Sequence, residues 1–274
     1  MKFALACYGS RGDVEPSVAV GRELKRRGHL VNIAVQPALV DFAESSGLTA
    51  VPYGPELDEF LNEDFLRNFW TQLVRNPSGS LRELWAPIIK YWPETSKTLL
   101  SLAHGADLLS TGLNYEQPAA NVAEYLGIPL LSLHHFPMRP NSQVVPMLPS
   151  PVVRSTGTFL EWLFWRATKK VENEQRAELG LPMATVPSPR RIAERGSMEI
   201  QAYDAVCFPG LAEEWARWAA HRAFVGALTM ELATDADAGV ESWIATGTPP
   251  ICYATGSIPV ESPKATLEMI GAAS

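Results

Sequence analysis

The opening of the chain constrains its fold more than anything after it. An apolar run from Phe3 to Tyr8 ends in Gly9-Ser10-Arg11-Gly12. Pro16 suits a first helical position, Val20 and Leu24 then share a helix face through Arg27, and Gly28 stands behind as a cap. This is a buried strand, a tight turn and a helix. Leu30 to Val35 is a second apolar run, Ala38 to Ser46 a second helix stopped by Gly47, and Thr49 to Pro52 a third short strand. Strands alternating with helices run parallel, because each right-handed crossover returns the chain to the same edge of the sheet. The predicted class is α/β, a doubly wound parallel sheet of Rossmann-like kind.

Further along, Leu57, Phe60, Leu61, Phe65, Phe69 and Leu73 recur at helical spacing. Leu81 to Ala103 is helical but holds Pro87 and Pro93, so kinks or two pieces are expected. Strands are predicted at Asp107 to Thr111 and Pro129 to Leu133, with a helix over Ala119 to Leu126 between them. Pro137 to Pro151 is proline-rich and aperiodic, a long loop of the kind that often carries function. A long helix from Thr158 to Leu179 and strands at Ala205 to Phe208 and Ala223 to Gly226 complete a first domain over residues 1–230. Residues 231–248 are predicted as a linker, acidic and aperiodic at Glu231 to Gly239. Ile251-Cys252-Tyr253 then predicts a strand running into a Gly256-Ser257 turn, and Ser262-Pro263 starts a helix faced by Leu267 and Ile270. One strand and one helix cannot bury their own apolar faces. Residues 249–274 are therefore expected to begin a second Rossmann-like domain that stays incomplete.

A net charge of −7 argues against a nucleic-acid-binding surface, so no nucleic-acid partner is expected. Cys7, Cys207 and Cys252 sit in apolar runs and read as buried free thiols of a reducing compartment. No span approaches the ~18 apolar residues of a membrane helix. Arg11 and Asp13 follow the short apolar start too soon for a signal peptide. The expected location is cytoplasmic, with peripheral membrane contact at most. Phe159, Trp162, Leu163 and Trp165 are expected to be mostly core, a lipid-facing role being the alternative.

The turn after the first strand lies where doubly wound sheets bind ligands. It offers Gly9-x-x-Gly12 rather than a dinucleotide fingerprint, and the second strand ends in Gln36 where an acid would hold a ribose. Asp13 at the helix mouth would repel a pyrophosphate. Two roles remain open for Asp13, a helix-capping acid and a general base. Asp235-Ala236-Asp237 reads as a solvated charge cluster, and adjacent His134 and His135 point to opposite faces of a strand, so no metal site is expected.

Tyr8-Gly9-Ser10-Arg11-Gly12-Asp13-Val14-Glu15-Pro16, with Arg27-Gly28-His29 after the helix, resembles the opening of the GT-B glycosyltransferases that include glycopeptide-antibiotic, mycobacterial glycopeptidolipid and sterol enzymes. The resemblance implies a GT-B fold with an acceptor-binding first domain and a donor-binding second one. It implies Asp13 as the catalytic base, with Ser10, Arg11, Gly12, His134, His135, Phe136, Met138 and Arg139 on the acceptor side. Gly256 and Ser257 match the start of the donor domain, although Ala254 stands where the family usually has glycine. The implied reaction is inverting transfer of a hexose from a UDP- or dTDP-sugar co-substrate to a hydroxyl of a lipid, sterol or peptide natural product, with no bound cofactor. The family's later donor motifs do not occur in these 274 residues. The expectation is thus that the chain alone is inactive and works, if at all, with a separately encoded donor domain. The competing expectation is a non-catalytic remnant or an accessory module that only binds the acceptor.

Overall fold

The computed structural model describes residues 1–57, 71, 75–230, 235–253 and 262–273. Apart from Leu57 and Thr71, the helix expected up to Leu73 lies outside them, as do Gly256 and Ser257.

Six parallel strands form one sheet in the order β3-β2-β1-β4-β5-β6. They are β1 (Lys2–Cys7), β2 (Leu30–Val35), β3 (Thr49–Pro52), β4 (Leu108–Thr111), β5 (Leu130–His134) and β6 (Met198–Gln201). Helices α1 (Arg11–Arg26), α2 (Val40–Ser45), α3 (Pro77–Ala103), α4 (Glu116–Leu126), α5 (Ser150–Glu178) and α6 (Ser188–Glu194) accompany them. The strand order reverses between β1 and β4, which makes the carboxyl ends of these two strands the natural crevice.

Alternation along β1 divides the core between the two faces of the sheet. Ala4, Ala6 and Tyr8 face one cluster with Leu99, Ala119 and Val122. Leu5 and Cys7 face the other with Val14, Val18, Ile33 and Leu48. The small side chains on the first face let α3 lie close, with Trp92 and Leu99 fully buried.

Several expectations are corrected. Helix α1 begins at Arg11, and Pro16 lies inside it. Ser10 and Asp13 set the start, because an N-terminal carboxylate satisfies a free amide wherever the chain offers one. The 27 residues of α3 form one helix through Pro87 and Pro93. Burial of Trp92, Thr95, Ser96 and Leu99 outweighs the hydrogen bonds that the prolines forgo. Helix α5 starts at Ser150, eight residues before the expected Thr158. Ala205–Cys207 is a 3-10 turn, not a strand, and the 223–226 segment contributes a single bridge, Gln201 to Phe224. The sixth strand is instead β6, whose alternating polar residues hid it. Within the expected linker lies a helix, α8 (Asp235–Thr246), after the short α7 (Leu211–Glu214). Ile251, Cys252 and Tyr253 are in no strand. Helix α9 (Pro263–Ala273) starts as expected, with the Ala265 amide donating to Ser262 Oγ at 3.3 Å. Of the cysteines only Cys7 is buried, and burial pushes its thiol up to about 12, whereas Cys207 and Cys252 are exposed. Phe159 and Trp162 are not core: they are 57% and 45% exposed.

Candidate active site at the carboxyl edge of the sheet

Three segments meet where the strand order reverses: the β1–α1 turn, the β4–α4 turn, and the chain leaving β5. The first turn is shaped by Gly9, whose φ of +135° excludes ordinary side chains and whose missing β-carbon would collide with the Asp13 carboxylate. That carboxylate folds back over the turn. Its Oδ2 accepts from the Ser10 amide at 2.6 Å and the Ser10 hydroxyl at 2.9 Å. Its Oδ1 lies 2.6 Å from Nε2 of His135, and both side chains stay 24% exposed.

Burial pushes the Asp13 carboxyl upward. The hydrogen bond and charge of His135, with the two Ser10 bonds, outweigh it and hold Asp13 below its ordinary value. An ionised Asp13 assigns the His135 tautomer: Nε2 carries the proton towards Oδ1, and Nδ1 keeps the lone pair. The arrangement is a carboxylate-oriented imidazole at the carboxyl end of the sheet, with both side chains partly open to solvent.

His134 points the other way. It is fully buried, with Nε2 3.1 Å from Glu116 Oε1. Arg139 returns from the loop to join the same cluster. It donates to Glu116 at 2.8 Å and pairs with Glu199, whose other oxygen accepts from Arg222 at 2.6 Å. Burial alone would raise Glu116, but the Arg139 charge and the His134 contact bring it down to about 2. The cluster ties β5, β6, α4 and the post-β5 loop together directly beneath His135.

Of the residues proposed from sequence, Ser10, Asp13 and His135 are thus in contact, with Gly12 exposed on the first turn of α1. Phe136 and Met138 follow, 41% and 50% exposed, the Phe136 ring edge-on to Phe208 at 5.8 Å. Arg11 is bound to Glu15 at 2.9 Å and covers the Phe42 ring at 4.6 Å. His134 and Arg139 are committed to the buried cluster.

Sequence reasoning missed the Asp13–His135 pair, because 122 positions separate its members and nothing local couples them. It also missed Glu116, Glu199 and Tyr115. Tyr115 has φ +62°, unusual for a side chain of its size. Its ring packs edge-on to Tyr8 at 5.4 Å and Tyr53 at 5.7 Å, and all three are buried in the core beneath the turns.

Comparison with known proteins bears on the family and the fold. Residues 3–87 match the glycosyltransferase family 28 N-terminal domain. An uncharacterized glycosyltransferase of Mycobacterium tuberculosis (strain ATCC 25618 / H37Rv) is 55% identical over 276 residues, covering 100% of this chain and 66% of the relative. A sterol 3-beta-glucosyltransferase of Arabidopsis thaliana is 24% identical over 98% of the chain and 45% of its own length. The chain spans just under two thirds of that mycobacterial relative. Among solved structures, the glycotransferase of kitacinnamycin superposes with a TM-score of 0.56 at 18% identity, over 85% of this chain and 53% of that one. The calicheamicin glycosyltransferase superposes with a TM-score of 0.55 at 17% identity, over 82% and 51%. The chain carries a glycosyltransferase family 28 N-terminal domain over residues 3–87 and shares the fold of the solved glycosyltransferases.

Proposed function

We propose that the whole protein transfers a hexose or deoxyhexose from a UDP- or dTDP-sugar to a hydroxyl of a lipid, sterol or peptide natural product, with inversion. Residues 1–230 take the acceptor in this reading, and Gly256 and Ser257 belong to the donor side. The observation that carries it is the 2.6 Å contact between Asp13 Oδ1 and His135 Nε2. An acceptor hydroxyl placed between the α1 turn and Phe136 and Met138 meets His135 Nδ1. Asp13 alone is a poor base, since both of its oxygens are engaged and its pKa is lowered. The two residues divide the work. Nδ1 takes the hydroxyl proton, and Asp13 orients and stabilises the imidazolium. The acceptor oxygen then bonds to the anomeric carbon as its bond to the nucleoside diphosphate breaks. The name of the sterol glucosyltransferase relative supports an apolar acceptor, which suits the exposed Phe136 and Met138 beside the site.

The test joins this chain to the C-terminal third of the Mycobacterium tuberculosis relative and supplies labelled UDP- or dTDP-hexoses with lipid extracts. Transfer is expected. His135→Ala and Asp13→Asn should each lower it by about 10²–10⁴ with little change in melting. Full transfer by both variants would remove the pair from the mechanism.

A further inference from the structure

We propose that the outward face of α5 seats this protein on an anionic lipid bilayer. The inward face of the helix is fixed by burial of Trp165, Thr168, Val171 and Gln175. The opposite face carries Val152, Phe159 and Trp162, exposed at 53%, 57% and 45%. The two aromatic rings stack on each other, 5.9 Å apart at 25°, and form one continuous apolar plate. Grouped exposed aromatics of this kind mark a surface meant to be covered.

The charges beside the plate indicate what covers it. Arg166 lies over the Trp162 ring at 6.0 Å, Lys169 follows one turn on, and Lys170, its side chain 91% exposed, stands 3.9 Å from Glu174. Between Ser150 and Lys170 the cations are Arg154, Arg166, Lys169 and Lys170, against the single acid Glu161. Arg154 faces Glu214 at 3.8 Å and Lys170 faces Glu174, so Arg166 and Lys169, set over the Trp162 and Trp165 rings, carry the basic character of this face. Glu161 is drawn inward, where it feels the charges of Arg139, Glu116 and Glu199. A basic stretch on a chain of net charge −7 complements an anionic surface. Apolar residues that enter the headgroup boundary, with long cationic side chains reaching to phosphates, describe an interfacial helix. No described helix is long and apolar enough to cross a membrane, so α5 lies on the bilayer and does not span it.

Position gives the contact a use. The loop that leaves His135 runs into the start of α5, and Met147 and Leu148 on that loop are 91% and 52% exposed. Seating on this face sets the mouth of the Asp13–His135 crevice next to the headgroups, where a membrane-held acceptor resides. That use rests on the function proposed above; the docking does not, and it is measured without any sugar donor.

The experiment is flotation of the purified chain with phosphatidylcholine vesicles and with vesicles containing phosphatidylglycerol. Binding is expected to the anionic vesicles, to weaken as salt rises, and to be slight on phosphatidylcholine alone. The triple variant Arg166→Glu, Lys169→Glu, Lys170→Glu should lower partitioning by about 100-fold or more. Phe159→Ser with Trp162→Ser should lower it by about tenfold or more while leaving the circular dichroism unchanged. A control pair on the exposed C-terminal helices, Trp243→Ser with Leu267→Ser, should bind like wild type. No binding to anionic vesicles overturns the proposal, as does wild-type binding by the α5 variants or loss of binding in the control pair. It is also overturned if the chain self-associates and Phe159→Ser with Trp162→Ser makes it monomeric, since the covering partner is then a second copy.

Discussion

Asp13 divides its oxygens between two partners, Ser10 on Oδ2 and His135 on Oδ1. The capping and chemical readings of this residue are therefore compatible: the cap holds the carboxylate still while the other oxygen orients the imidazole. An asparagine has one acceptor oxygen and one donor nitrogen. If the oxygen keeps the Ser10 donors, the amide nitrogen faces His135 and demands an acceptor at Nε2, which moves the ring proton to Nδ1. Asp13→Asn should thus keep the helix cap and its stability, yet remove the lone pair that takes the acceptor proton. Imidazole ¹⁵N shifts should show an Nε2–H tautomer in the wild type and an Nδ1–H tautomer in the variant. Identical spectra would mean that Asp13 does not set the tautomer. Beneath, Arg139 answers two buried carboxylates at once. Arg139→Met should cost about 3–5 kcal/mol in chemical denaturation, because Glu116 and Glu199 are left without their shared cation. Adding Glu116→Gln should recover part of that loss, and strict additivity of the two changes would refute the coupling.

At the scale of elements, α5 links the buried cluster to the outer surface, and Glu161 on its inward side gives the fold a pH dependence. Burial, with Glu116 and Glu199 nearby, raises Glu161 from 4.5 to about 7 despite Arg139. Between those values the folded protein holds a proton that the unfolded chain has released. The stability from this group is full below about 4.5 and is lost as pH rises towards about 7. Asp13 and Glu116 act in the opposite sense: their contribution is present above the ordinary carboxylate value and fades in acid. Glu161→Gln should leave melting near pH 5 almost unchanged and raise it by a few degrees at pH 8, read by calorimetry. A lower melt at pH 8 would mean that the ionised carboxylate is held by Arg139. The elements also show what a sequence makes legible. Strands β1, β2, β4 and β5 announce themselves as apolar runs because both faces of a central parallel strand are buried. Strand β6 reads Met198-Glu199-Ile200-Gln201, and Glu199 is buried because Arg139 and Arg222 arrive from elsewhere to bind it, 60 and 23 positions away. Long-range partners of this kind leave no local signal. The same holds at the site, where Asp13 was visible from its turn but its pairing with His135 was not.

Over the whole molecule, cohesion follows the sheet and fades towards the C-terminal segments. Strand β1 pairs on both sides, with β2 and β4, and its Ala4, Leu5, Ala6 and Cys7 are all buried. The chain stays attached to this body as far as Met230, whose amide donates to Glu15 at 2.8 Å. Helices α8 and α9, of 12 and 11 residues, differ in kind. Val240, Trp243 and Ile244 on the first are 44–65% exposed, and Leu267 and Met269 on the second 68% and 67%. A helix of this length without a packed face is marginal in water, because nucleation costs more than so few hydrogen bonds return. Hydrogen exchange should therefore divide the chain in two. Amides of β1 and β4 should exchange only through global unfolding, while those between Val240 and Thr246 and between Thr266 and Ala273 should exchange orders of magnitude faster. Joining the chain to the C-terminal third of its mycobacterial relative should slow the second group if these helices belong to a donor-side domain that completes them. Equal protection of α8 and β1 in the chain alone would show the helix packed against a partner layer, and would extend the first domain past residue 230.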